Sequence, residues 1–184
     1  MDFIFDIRKA IAATEYVCKL NGGSFDMLKL IKALYLAERM ALVEWHRPIT
    51  GDEFWSLENG PVMSRIYDLL REKVSGPEME AWRTVFNPRK LDAISLKSEF
   101  HEKPLSRREK DALHRGYSMV KDLTVGQVID LVHKLPEWEN PGKSSRLIDP
   151  RTILYHENLG ESAVKEIEQE IAALHSAKAS MQAG

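Results

Sequence analysis

The sequence predicts a mainly α fold with a small antiparallel β element (α+β), a compact helical domain around one buried central helix. Three observations predict it. Residues 25–45 carry apolar side chains in two adjacent stripes, Leu28, Ile31, Tyr35, Leu42 and Trp45 on one and Met27, Leu30, Leu34, Ala37 and Ala41 on the other. A helix apolar over most of its circumference needs neighbours on several sides. Before and after it, apolar residues recur every three or four positions, the period of amphipathic helices. Only two short runs are rich in β-branched and aromatic residues, and turn-forming residues bound both.

Phe3, Ile7, Ile11 and Thr14, then Val17 or Cys18, predict a first helix over residues 2–20. Asn21-Gly22-Gly23 ends it, because paired glycines favour the left-handed and turn geometries that follow a helix. Ser24 is placed to cap the central helix with Asp26 in its first turn, and the two helices are expected to lie antiparallel. Pro48 forces the central helix to end near His46. Residues 49–57 hold a Gly51-Asp52 turn signal and predict a short strand near 53–57, closed by Glu58-Asn59-Gly60-Pro61. Pro61 suits the first position of the next helix, whose face of Val62, Ile66, Leu69 and Leu70 runs to about Lys73.

After Ser75-Gly76-Pro77 a short helix is expected over 78–85, then a strand around Leu91, Ile94 and Leu96 pairing with the one around Phe54 and Trp55. Ser106 with Glu109, and Thr124 with Gln127, are capping-box patterns that open two helices. Leu113, Tyr117, Val120 and Leu123 face inward from the first, and Val128, Leu131, Val132 and Leu135 from the second. Residues 140–145 read as an exposed loop, Asp149-Pro150 as another helix start, and Gly160 as the break before a last helix through Val164, Ile167, Ile171 and Leu174. The 184 residues are expected to form one domain, with 160–184 a C-terminal helix and a tail frayed from Ala177.

Composition is that of an ordinary globular protein, 43% hydrophobic and 29% charged. A formal net charge of -2 supplies no global basic field for sequence-independent nucleic-acid binding. Apolar runs are too short for a bilayer span and the start lacks the order of a secretory signal, so a cytoplasmic protein without membrane attachment is expected. The single cysteine, Cys18, reads as a small buried hydrophobe.

Chemistry-bearing patterns are sparse. There is no glycine-rich phosphate loop, no nucleophile elbow and no histidine pair at helical metal spacing, so no catalytic residue, cofactor or metal is expected. Glu38 shares a face with Ile31, Tyr35 and Leu42, where a carboxylate needs a partner; Arg65 or Lys32 could provide it, and a structural ion pair is favoured over a catalytic acid. The basic run 107–115 is interrupted by Glu109 and Asp111, which favours a solvated face over a helix-turn-helix.

Three stretches in order, KLIKALYLAE (29–38), RPITGDEF (47–54) and NGPVMSRIYDLL (59–70), resemble the Panacea domain, the SocA-like antitoxin family of bacteria and their phages. Leu105-Ser106 opening a helix, and Leu131-Val132-His133 leading to Pro136 and Trp138, extend the likeness over residues 3–138. Position 38 is Glu where that family commonly has Asp. The resemblance implies an antitoxin that neutralises a toxin encoded beside it by direct protein contact, with no chemistry of its own. Its implied partner-binding residues are Glu58, Asn59, Pro61, Arg65 and Trp138, with Glu38, Tyr35 and Gly60 structural. The family's domain is often fused to a DNA-binding domain, for which this chain is expected to have no room. Two other readings stay open: a small metal-dependent hydrolase using Glu38 with folded-together histidines, and a phage or plasmid DNA-binding regulator.

Overall fold

Leu30, Ala33, Leu34, Tyr35, Ala37, Ala41 and Leu42 are all fully shut from solvent, and all lie on one helix, α2 (Met27–Trp45), which the other elements surround. The structure is a computed structural model that describes the backbone of residues 1–182 and the side chains of residues 1–177 except residue 175. Among the described residues the fold is mainly α, with small antiparallel sheets, as the periodicity predicts.

The first helix, α1 (Ile7–Leu20), starts later than expected. Asp6 caps it by accepting from the amides of Arg8 and Lys9, while the Asp6 amide donates to Thr50 O at 2.8 Å. That last bond ties the preceding residues to the turn after α2. Cys18 lies in the core, and burial pushes its thiol up to about 12, so it behaves as a small hydrophobe.

Ser24 does not cap α2. It belongs to β1 (Ser24–Asp26), which pairs antiparallel with β4 (Ala93–Ser95), and its hydroxyl donates to Ile94 O. The cap is Asp26, whose side chain accepts from Lys29 N at 2.9 Å. At the other end His46 takes a left-handed conformation, φ 61°, and its amide closes the helix on Leu42 O.

The strand near Phe54 is β2 (Phe54–Leu57), and its partners differ from the expected one. It forms a tight hairpin with β3 (Gly60–Met63) and pairs on its other side with β5 (Arg146–Ile148), in the order β3-β2-β5. Pro61 therefore sits in an edge strand opposite Ser56 and not at a helix start; an edge tolerates its missing donor as well as a first helical turn does. The helix begins at Ser64 instead, as α3 (Ser64–Leu70).

Further along come α4 (Pro77–Val85), α5 (Arg107–Val120), α6 (Val125–Val132), α7 (Pro150–His156) and α8 (Glu161–Gln182). Both capping boxes are complete, with side chain and backbone bonds in each direction at Ser106/Glu109 and Thr124/Gln127. Asp149 caps α7 with Pro150 in its first turn. The backbone of α8 is helical to Gln182, and the side chains of the tail expected to fray lie outside the described residues beyond Ala177.

The closest neighbour of α2 is α5. Gly116 makes that approach possible: a Cβ there would stand 2.4 Å from Ala33 O and 3.2 Å from Ala37 N, and Ala33, Ala37 and Ala112 line the same seam. Small residues bring the backbones together.

Candidate partner-binding face

Four polar side chains interrupt the apolar surface of α2, and together they reach three irregular segments. Lys32 Nζ donates to Pro61 O at 2.8 Å, holding the β2–β3 hairpin. Tyr35 OH and Arg39 Nε both donate to Glu137 Oε1, at 2.9 and 2.8 Å, holding the segment after α6. Glu38 accepts from the amides of Ile49 and Thr50, at 2.5 and 2.9 Å, and from the Thr50 hydroxyl, holding the turn after α2. The partner expected for Glu38 was Arg65 or Lys32. It is instead a pair of backbone donors and a hydroxyl eleven and twelve residues further on.

Burial sets the electrostatics here. It pushes the Glu38 carboxyl up to about 7 despite the three hydrogen bonds that favour its ionised form, and the neighbouring Asp52 adds to the rise. Asp52 is itself pushed up to about 6 by burial, against the amides of Arg65, Ile66 and Glu53 that it accepts while capping α3. Lys32 is driven down to about 7 by burial alone. The Tyr35 phenol is raised well above its ordinary value by burial and by the Glu137 carboxylate. For Arg39, burial works downward and its contacts with Glu137 and Glu157 outweigh it.

These bonds arrange the hairpin and the Trp138 segment side by side. Gly60, at the end of the two-residue turn, has φ 93°, and a Cβ on it would lie 2.4 Å from Val132 Cγ2 and 3.3 Å from Lys32 Nζ. Both its conformation and its space require glycine. Trp138 Nε1 donates to Leu57 O at 3.0 Å, and the Trp138 ring stacks on His133 at 3.7 Å with 7° between the planes. His133 Nε2 in turn meets Glu58 O at 3.2 Å. Beside the hairpin a cleft of about 360 Å³ opens between Lys32, Leu28, Val62, Tyr67, Arg71 and Lys143.

Of the residues singled out from the sequence, Glu58, Asn59 and Trp138 come together, the first two exposed at the hairpin tip and the third half-buried against it. Pro61 is buried and acts through its carbonyl on Lys32, so it offers no surface. Arg65 is exposed but engaged elsewhere: its guanidinium lies 4.4 Å over the Phe5 ring and bonds Glu78 at 2.5 Å. Tyr35, Glu38 and Gly60 are buried and hold neighbouring segments, Glu38 through hydrogen bonds in place of the expected ion pair. Sequence reasoning missed Arg39, Asp52 and Glu137, and saw Lys32 only as a partner for Glu38. Charged residues inside an otherwise apolar helix were the available signal for Lys32 and Arg39; Glu137 carried none.

Within the basic run, Arg108 and Arg115 turn toward α2. Arg115 is paired with Glu44, and Arg108 lies over the Trp45 ring at 4.4 Å. Among the described residues no group of three or more His, Cys, Asp or Glu side chains converges, and no helix is long and apolar enough to cross a membrane.

Fold and site together define a mainly helical α+β scaffold whose central helix pins three irregular segments, two of which, the hairpin and the Trp138 segment, lie side by side. The family described as antitoxin SocA-like, Panacea domain, matches residues 30–139, more than half of the chain, and the chain belongs to that family. Comparison with curated proteins and with solved structures gave no match.

Proposed function

We propose that this chain is an antitoxin that neutralises a toxic protein by direct contact, without bond chemistry of its own. The observation that carries the reading is where the family match falls. Residues 30–139 contain every anchor of the pinned face, from Lys32, Tyr35, Glu38 and Arg39 on α2 to Thr50, Pro61, Glu137 and Trp138. A face held by buried hydrogen bonds loses little conformational freedom when it docks, which favours binding. The contact surface in this reading is the hairpin tip, Glu58 and Asn59, with Trp138 beside it, an aromatic flanked by polar groups. The reading puts the protein in the cytoplasm, where a toxin made in the same cell is met.

Co-expression tests it. The protein encoded by the neighbouring gene should arrest growth alone, growth should return when this chain is made with it, and the two should elute together on a sizing column. A harmless neighbour that elutes separately contradicts the reading.

A further inference from the structure

Six charged side chains are buried among the described residues: Glu15, Lys32, Glu38, Asp52, Glu109 and Glu137. Five have two or more partners. Glu15 holds Lys19 and the Phe100 amide, Glu109 holds Lys9 and the Ser106 amide, and Glu38, Asp52 and Glu137 accept three bonds each. Lys32 differs. It is 2% exposed, its ammonium has one acceptor, Pro61 O, and burial is what lowers its ionisation, with no carboxylate bonded to it. An ammonium carries three donors, and a buried cation without a counter-charge is costly to the fold.

Lys32 is also one of the residues that line the cleft beside the hairpin. The other lining residues that matter are apolar, Leu28, Val62 and the Tyr67 ring, or basic, Arg71 and Lys143; Glu58 is the one acid among them. Three cations thus face one carboxylate across a partly apolar trough. At about 360 Å³ its size falls near the lower end of ligand-holding pockets, roughly 300–1,000 Å³. It opens between the exposed hairpin tip and the exposed loop at 142–144, so a chain lying in it continues across the face described above.

We propose that the cleft receives an extended segment of the partner polypeptide bearing a carboxylate side chain between apolar ones, the carboxylate docking on the Lys32 ammonium and flanked by Arg71 and Lys143. The proposal rests on the reading that the partner is a protein. The carboxylate supplies the counter-charge that the fold leaves out, and the apolar neighbours cover Leu28 and Val62. Binding then fixes a proton on Lys32, so affinity falls as pH rises above about 7, where the free ammonium loses it. Glu58 from the hairpin tip, Tyr67 from α3, Arg71 just past its end and Lys143 from the loop line the same cleft, and His133 stands beside Gly60, so the readout must be at Lys32 itself.

The full chain labelled with 13C at lysine Cε, with the Lys32 resonance assigned through Lys32→Met, gives that readout. Acetyl-Leu-Glu-Leu-amide should raise the Lys32 titration midpoint by about one pH unit or more, while acetyl-Leu-Gln-Leu-amide leaves it unmoved. A midpoint unmoved by the Glu peptide, or moved equally by sodium acetate at the same concentration, overturns the proposal. Lys32→Met, and separately the exposed pair Arg71→Gln with Lys143→Gln, should each weaken the complex with the neighbouring gene's product about tenfold or more; undiminished affinity in both overturns it. Failure of the wild-type chain to bind that product counts against the antitoxin reading instead, and the peptide titration still decides the cleft.

Discussion

The Tyr35 phenol, midway along α2, donates to Glu137 Oε1 at 2.9 Å, and the same oxygen takes Arg39 Nε at 2.8 Å. One buried carboxylate thus joins the central helix to the segment that carries Trp138, and through Trp138 to the backbone of β2. The position of this half-buried aromatic is set from inside the core.

Glu137→Ala leaves the Tyr35 hydroxyl and one edge of Arg39 buried without their acceptor. Urea denaturation should show a loss of roughly 3–5 kcal/mol, the range for breaking one side of a buried charged pair. Tyr35→Phe removes one hydrogen bond and keeps the charges paired, so about 1 kcal/mol is expected. Equal losses in the two variants would mean that Glu137 is not the shared anchor.

Gly60→Ala should cost roughly 2–4 kcal/mol, combining the left-handed strain of a residue with Cβ and the clash with Val132. Its thermal transition should fall, and its affinity for the partner should fall further than that of Gly126→Ala, a control whose Cβ meets nothing within 4 Å.

Gly116→Ala tests the seam between α2 and α5. A methyl group 2.4 Å from Ala33 O cannot be accommodated without parting the helices, and overpacking of this kind costs about 1–3 kcal/mol. Calorimetry should register the loss, while the hairpin tip, distant in sequence, keeps its partner affinity in proportion to the folded fraction.

Stability should depend on pH through three buried groups, with opposite signs on the two sides of neutrality. Glu38 and Asp52 have folded pKa values raised to about 7 and about 6 from ordinary values of 4.5 and 3.8. Between those limits the folded chain holds protons the unfolded chain has lost, so their contribution is best at low pH and declines as pH rises. Lys32 is lowered to about 7 from 10.5, so the unfolded chain holds the extra proton there and its contribution improves as pH climbs from 7. Glu38→Gln should flatten the acid side of the profile and Lys32→Met the alkaline side, measured by denaturant titration across the range. A Glu38→Gln profile parallel to that of the wild type would contradict the assignment.

The helical part of the fold was legible because its signals are local. The apolar stripes of α2, both capping boxes and the Asp149-Pro150 start each lie within a few residues of what they specify. The strands were harder: β1, β4 and β5 are three residues long, and pairings such as Ser24 with Ser95 or Phe54 with Ile148 leave no mark on either segment alone. Pro61 was misplaced because a proline without a donor fits a first helical turn and an edge strand equally well. Glu38 announced that it needed a partner, but backbone amides answer that need, and no residue type betrays them. The cleft around Lys32 is assembled from four separate segments, so only the folded chain displays it.

The central claim is that the partner docks on the face pinned by the polar side chains of α2. Amide hydrogen exchange on the complex with the neighbouring gene's product measures this most directly. The account predicts slowed exchange at residues 57–60, in α3 and at 138–146 when the partner is bound, with α4 and the outer face of α5 unchanged. Slowing confined to α4, α5 or α8, with the hairpin and the Trp138 segment exchanging as in the free chain, would contradict it.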